Sequence, residues 1–156
     1  VCSSDLKAIN FATYGASFVY INEDGKPLTP LYNYLKDYPE ELKNGFYKKY
    51  KGEEVFAVKT ASPVLGSLNS GMQIYRLKKE NLEVFDKVKY CLHLPQYMSF
   101  ILTQQGFTDI TSIGCHTNLW NFNKMKYQLR KVFGKNVLRT LHKRLPTLRF
   151  IHKPLL

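Results

Sequence analysis

Residues 12–25 read ATYGASFVYINEDG, and their order decides the fold. Ser17, Phe18, Val19, Tyr20 and Ile21 form an aromatic and β-branched run, the composition of a strand. Asn22-Glu23-Asp24-Gly25 then supplies the turn chemistry that reverses the chain. Upstream, Lys7-Ala8-Ile9-Asn10-Phe11 predicts another strand, so that residues 12–16 become the bend between the two. Gly15 in that bend is either the pivot of a tight loop or a place where backbone and ligand approach closely.

Beyond the turn, residues 28–34 continue as an extended segment. Asp37-Tyr38-Pro39, with proline at the first helical position, opens an amphipathic helix over residues 40–50, ended by Lys51-Gly52. Turn formers follow between Thr60 and Gly71. Met72, Ile74, Tyr75 and Leu77, and then Leu82, Val84, Phe85 and Val88, fit two helices separated by a break. Tyr90-Cys91-Leu92 predicts a short buried strand, and Pro95 opens a helix that stops near Gly106. Residues 109–121 are polar and turn-rich, ending on the sole tryptophan, Trp120. Strands followed by several helices indicate an α/β domain of mixed α+β type, sized as one half of a larger two-domain enzyme.

The chain has 156 residues, 44% of them apolar and 14% aromatic, enough for a buried core and incompatible with a disordered polymer. No apolar run of membrane-spanning length occurs, and no charged leader precedes an apolar stretch. Three cysteines are too few for a disulfide-stapled secreted domain, so they are expected to be reduced and the protein cytoplasmic.

The net charge of +11 is unevenly spread. Up to residue 123, 13 lysines and arginines face all 12 acids, a balance of +1; residues 124–156 add 10 basic residues and no acid. A near-neutral body with a basic tail is not a uniformly basic nucleic-acid binder. The tail can be written as a basic helix over residues 125–137 followed by an aperiodic apolar and basic stretch. It therefore has two readings. One is a basic module contacting nucleic acid or an anionic surface, the alternative function for the whole chain; the other is an out-of-frame extension.

Chemistry-bearing motifs are sparse. Cys91-x-His93 and Cys115-His116 lack the cysteine spacing of structural zinc sites, which favours core cysteines with partly exposed histidines. Walker-type phosphate loops, nucleophile elbows and metalloprotease helices are absent from the sequence. Asp109, the last acid of the chain, either anchors its own loop or contacts a ligand.

Four ordered segments nonetheless carry a resemblance. Thr13-Tyr14-Gly15-Ala16-Ser17-Phe18-Val19 leads into Asn22-Glu23-Asp24-Gly25-Lys26 and Pro30-Leu31-Tyr32-Asn33-Tyr34. Further on come Leu92-His93-Leu94-Pro95-Gln96-Tyr97 with Phe100-Ile101-Leu102-Thr103, then Thr108-Asp109-Ile110-Thr111-Ser112 with Thr117-Asn118-Leu119-Trp120-Asn121. In this order and spacing they resemble the N-terminal domain of the FGGY family of carbohydrate kinases, within the sugar kinase, hexokinase and actin superfamily. The nearest likeness is to its rhamnulokinase-like members, whose substrate loop reads Thr-Trp-Gly-x-Asp-Phe-Val.

The resemblance implies a partial ribonuclease-H-like domain over residues 7–123 and ATP-dependent phosphorylation of a ketose such as rhamnulose, with Mg2+ as the metal. It implies that Gly15 contacts the sugar, flanked by Tyr14 and Ser17, with Asp109 and Thr111 near the same pocket. The family's Asp-x-Gly phosphate loop would precede Lys7, its catalytic Asp would follow Trp120, and its C-terminal ATP-binding domain would follow that. No catalytic, cofactor-binding or metal-binding residue is thus expected within these residues, and the polypeptide as given is expected to be inactive. Residues 1–6 correspond to the codons GTG TGC TCT TCC GAT CT, the end of a sequencing adapter, and are read as a non-native leader. The likeness fades where the acids vanish, near Lys124.

Overall fold

A computed structural model describes residues 8–128. The elements run β1 (Phe18–Ile21), α1 (Glu40–Lys49), α2 (Glu53–Thr60), a 3-10 turn (Gly66–Leu68), α3 (Ser70–Glu80), α4 (Leu82–Asp86), β2 (Tyr90–His93), α5 (Leu94–Thr103), α6 (Ile110–His116), β3 (Trp120–Asn121) and β4 (Lys126–Tyr127). The mixed α and β class read from the sequence is the one observed.

β1 and β2 pair antiparallel, with Phe18 opposite His93 and Ile21 opposite Tyr90. Alternate side chains of a strand point to opposite faces, and here both faces are covered. Phe18, Tyr20 and Cys91 join a large core with Phe46, Phe56, Met72, Ile74 and Trp120, whereas Val19, Ile21 and Leu92 pack with Phe100 of α5. Burial on both sides is why residues 17–21 read as an unbroken apolar run and not as an alternation. The reversal after β1 forms as expected: the Asn22 amide donates to the Lys26 carbonyl at 3.0 Å, and the Leu28 amide to the Tyr20 carbonyl at 2.9 Å.

α1 carries Glu40 and Glu41 in its first turn and Lys48 and Lys49 in its last, the order its dipole favours, and buries Phe46 and Tyr47. Lys43 lies 3.3 Å from Glu53, tying α1 to the start of α2. At the head of α3 the helix meets residues 117–119 almost backbone to backbone. A Cβ on Gly71 would stand 2.5 Å from Leu119 Cγ and closer still to the Thr117 carbonyl oxygen, so this crossing requires glycine. Beside it, Thr60 Oγ1 lies 2.6 Å from Asn118 Oδ1 and the Asn118 amide donates to the Tyr47 hydroxyl at 3.0 Å, a buried polar network. Burial pushes the Tyr47 phenol up to about 12, so it stays a neutral hydrogen-bonding group.

Several expectations are corrected. Ala8, Ile9, Asn10 and Phe11 form no strand; no strand among the described residues lies alongside to satisfy their backbone groups, and they remain largely exposed. Pro39 stands at the N-cap of α1 and not inside the helix. α2 was not legible, and residues 109–121 contain α6 where only turns were expected. The basic helix over residues 125–137 begins instead as β4, which pairs Tyr127 with Trp120 and places their rings 5.0 Å apart, edge to face. The remainder of that helix, the rest of the tail and residues 1–6 lie outside the described residues.

Candidate functional site

The bend at residues 13–17 sits at the end of the sheet where β1 begins and β2 finishes. Its turn is closed by the Ser17 amide donating to the Tyr14 carbonyl at 3.1 Å. Tyr14 projects outward, 71% exposed, while Ser17 is only 3% exposed and its carbonyl accepts from the Leu94 amide at 3.0 Å. Between them, Ala16 presents its carbonyl to Gln73 of α3: the Gln73 amide nitrogen donates to Ala16 at 3.0 Å and to the Ser67 carbonyl at 2.7 Å. With its nitrogen so committed, the Gln73 carbonyl oxygen is buried without a hydrogen-bond partner.

Gln73 and Ser67 also line a cleft of about 430 Å3, shared with Tyr32, Asn33, Tyr34 and Arg76. Arg76 is held by Glu80 of the same helix at 2.8 Å. The cleft is therefore of mixed polar and apolar character, flanked by aromatic rings and joined through one glutamine to the loop at residues 13–17. It is large enough for a monosaccharide, and its mix of rings and amides suits a ligand with an apolar C–H face and many hydroxyls.

Asp109 stands at the head of α6. It caps α6, accepting from the Ser112 amide at 2.8 Å, the Ser112 hydroxyl at 2.8 Å, the Thr111 hydroxyl and the Gln96 amide. Half-burial pushes its pKa up, but the hydrogen bonds from Thr111 and Ser112 outweigh that and hold the carboxyl below its ordinary value. Loop anchoring, one of the two sequence readings, is what this carboxylate visibly does.

His93, at the end of β2, is 1% exposed, contrary to the expectation of a partly exposed histidine; Cys115, expected in the core, is exposed. His93 Nε2 lies 2.9 Å from the Ser70 hydroxyl, and its ring packs 4.7 Å from Phe18 and 5.7 Å from His116. Burial, reinforced by His116, pulls its pKa down to about 3, so the ring is neutral at physiological pH. Among the described residues no three His, Cys, Asp or Glu side chains gather as a metal site.

Tyr14, Gly15 and Ser17 share one loop at the end of the sheet, whereas Asp109 and Thr111 stand at the head of α6, the end away from His116. Gln73 and His116 meet the loop at Ala16 and Gly15, with Ser67 held by Gln73, and sequence reasoning did not single these three out as site residues. Gln73 read as part of a helix face, and nothing local couples it to Ala16, 57 residues away.

No family model matches the chain. A rhamnulokinase from Halalkalibacterium halodurans is 27% identical over 100 residues, 64% of this chain and 21% of that protein. Plasmodium falciparum glycerol kinase with ADP superposes with a TM-score of 0.66 at 23% identity, over 81% of this chain and 26% of that one. A carbohydrate kinase from Novosphingobium aromaticivorans gives 0.62 at 24% identity, over 76% and 25%. The chain spans about a fifth to a quarter of the length of these relatives. In fold it matches the N-terminal part of sugar kinases, and the rhamnulokinase similar to it in sequence is a sugar kinase, as the motif resemblance implied.

Proposed function

We propose that residues 7–123 form part of the sugar-binding domain of an ATP-dependent carbohydrate kinase that transfers the γ-phosphate to a hydroxyl of a ketose of rhamnulose type. The observation that supports this reading is the Gln73 bridge, which ties the loop at residues 13–17 to the side of an aromatic-flanked cleft that Gln73 itself lines. In this reading the exposed Tyr14 ring stacks on the C–H face of the sugar, and the backbone around Gly15 approaches the ring hydroxyls. Ser17 braces the loop from beneath, and Asp109 with Thr111 fixes the helix behind it.

Phosphoryl transfer requires alignment, charge neutralisation and exclusion of water more than covalent participation by the protein. The residues named here do the first of these for the sugar. ATP and Mg2+ are the cofactors of the complete enzyme in this reading; its phosphate loop, catalytic base and adenosine-binding domain belong to chain beyond this sequence, and the given polypeptide alone is inactive. Among the described residues no helix is long and apolar enough to cross a membrane.

Calorimetric titration of the protein encoded by the gene's complete reading frame with L-rhamnulose, D-xylulose and glycerol tests the reading. Binding of a ketose that is weakened by Tyr14→Ala supports it; heat from none of the three contradicts it.

A further inference from the structure

Glycine at residue 15 is not demanded by backbone conformation, since its φ lies outside the left-handed region where glycine is favoured. It is demanded by space. A Cβ on Gly15 would lie 2.6 Å from Cε1 and 3.3 Å from Cδ2 of His116, and nearer still to Nε2, so the edge of that imidazole fills the volume a side chain would need. The ring is half-buried and backed on one side. Behind it stands His93, fully buried and held by Ser70 and Phe18, and the helix that carries His116 is fastened at its other end by the Asp109 cap.

We infer that His116 is a positioning residue: its imidazole seats the loop at residues 13–17 against α6 by occupying the place of a side chain at Gly15. This rests on the reading of that loop as the sugar-contacting wall. The loop is then gripped from two directions, by Gln73 at the Ala16 carbonyl and by His116 at the Gly15 α-carbon. Protein interiors give way poorly to an added methyl, so Gly15→Ala must displace either the loop or the ring. The glycine therefore acts on the ligand indirectly, through the shape it lets the imidazole impose.

The test is a double-mutant cycle in the protein from the complete reading frame, comparing wild type, Gly15→Ala, His116→Ala and the double variant. Two quantities are read: the KM for L-rhamnulose against kcat, and amide hydrogen exchange at Ser17, whose N–H closes the loop. Gly15→Ala is expected to raise KM about tenfold with kcat within about twofold, and to speed Ser17 exchange. In the His116→Ala background the same substitution changes KM by less than about threefold, because the imidazole is no longer there to collide with. Equal effects of Gly15→Ala in both backgrounds overturn the inference and make Gly15 itself the contact. If the wild type does not turn over the sugar, the functional reading has failed separately. The exchange cycle then decides alone: non-additive effects support the seat, and additive ones overturn it.

Discussion

The Gln73 side-chain amide donates to the Ala16 carbonyl across 57 residues, and this single contact joins the loop before β1 to the cleft beside α3. Gln73→Leu keeps the size of the side chain but strands the Ala16 and Ser67 carbonyls. Leaving two buried acceptors unmet costs about 2–4 kcal/mol. Urea unfolding is expected to show that loss, and ketose binding to disappear with it. A variant as stable as wild type would show that the bridge holds nothing.

Asp109 caps α6 through the Ser112 amide. Asp109→Ala is expected to destabilise the protein by about 1–2 kcal/mol, whereas Asp109→Asn, still able to accept at the cap, loses under about 1 kcal/mol. Thermal denaturation at pH 7 measures both. The folded-state pKa of this carboxyl is depressed, so its contribution is present above the unfolded value of 3.8 and is lost as pH falls through the lower folded value.

His93 gives stability a second, higher pH dependence. Its pKa falls from 6.5 to about 3 on folding, so between these values the unfolded chain binds a proton that the folded one refuses. Stability therefore rises with pH across that window and levels off above it, with a slope of up to about 1.4 kcal/mol per pH unit. Urea unfolding between pH 4.5 and 7.5 should lose about one proton's worth of slope in His93→Gln. Identical slopes in the two proteins would refute the assignment.

Asn118 adopts a left-handed backbone conformation, φ 53°, while serving both Thr60 and Tyr47. Asn118→Ala removes two buried partners and strains the backbone, a loss of about 3 kcal/mol. Asn118→Gly relieves the strain but not the missing bonds and should recover about 1 kcal/mol. Chemical denaturation of the pair separates the two causes.

The legible parts of the fold were those whose pattern is local. The residues of β1 and β2 are continuous apolar runs, and Met72, Ile74 and Leu77 mark the buried side of α3, so composition and period sufficed. α2 escaped because its apolar residues do not share one side: Val55 and Val58 are exposed, and only Phe56 and Thr60 are buried. α6 has seven residues, with glycine, serine and threonine among them, and its one sequence signal was the capping Asp109, which suggested an anchored loop without revealing the helix behind it. Of the site, the loop at residues 13–17 was found through motif resemblance and its turn-forming glycine. Gln73 and His116 act on it from 57 and about 100 residues away, and no spacing rule within a single sequence encodes such contacts.

Sugar phosphorylation is read out by ATP consumption. The DNA flanking this sequence would be read in all frames, and the complete reading frame expressed and assayed with Mg2+, ATP and a panel of ketoses. ADP release is expected to depend on one ketose and to fall strongly when Tyr14 is replaced by alanine. ATP turnover indifferent to every sugar in the panel, or none at all from the complete protein, would contradict it.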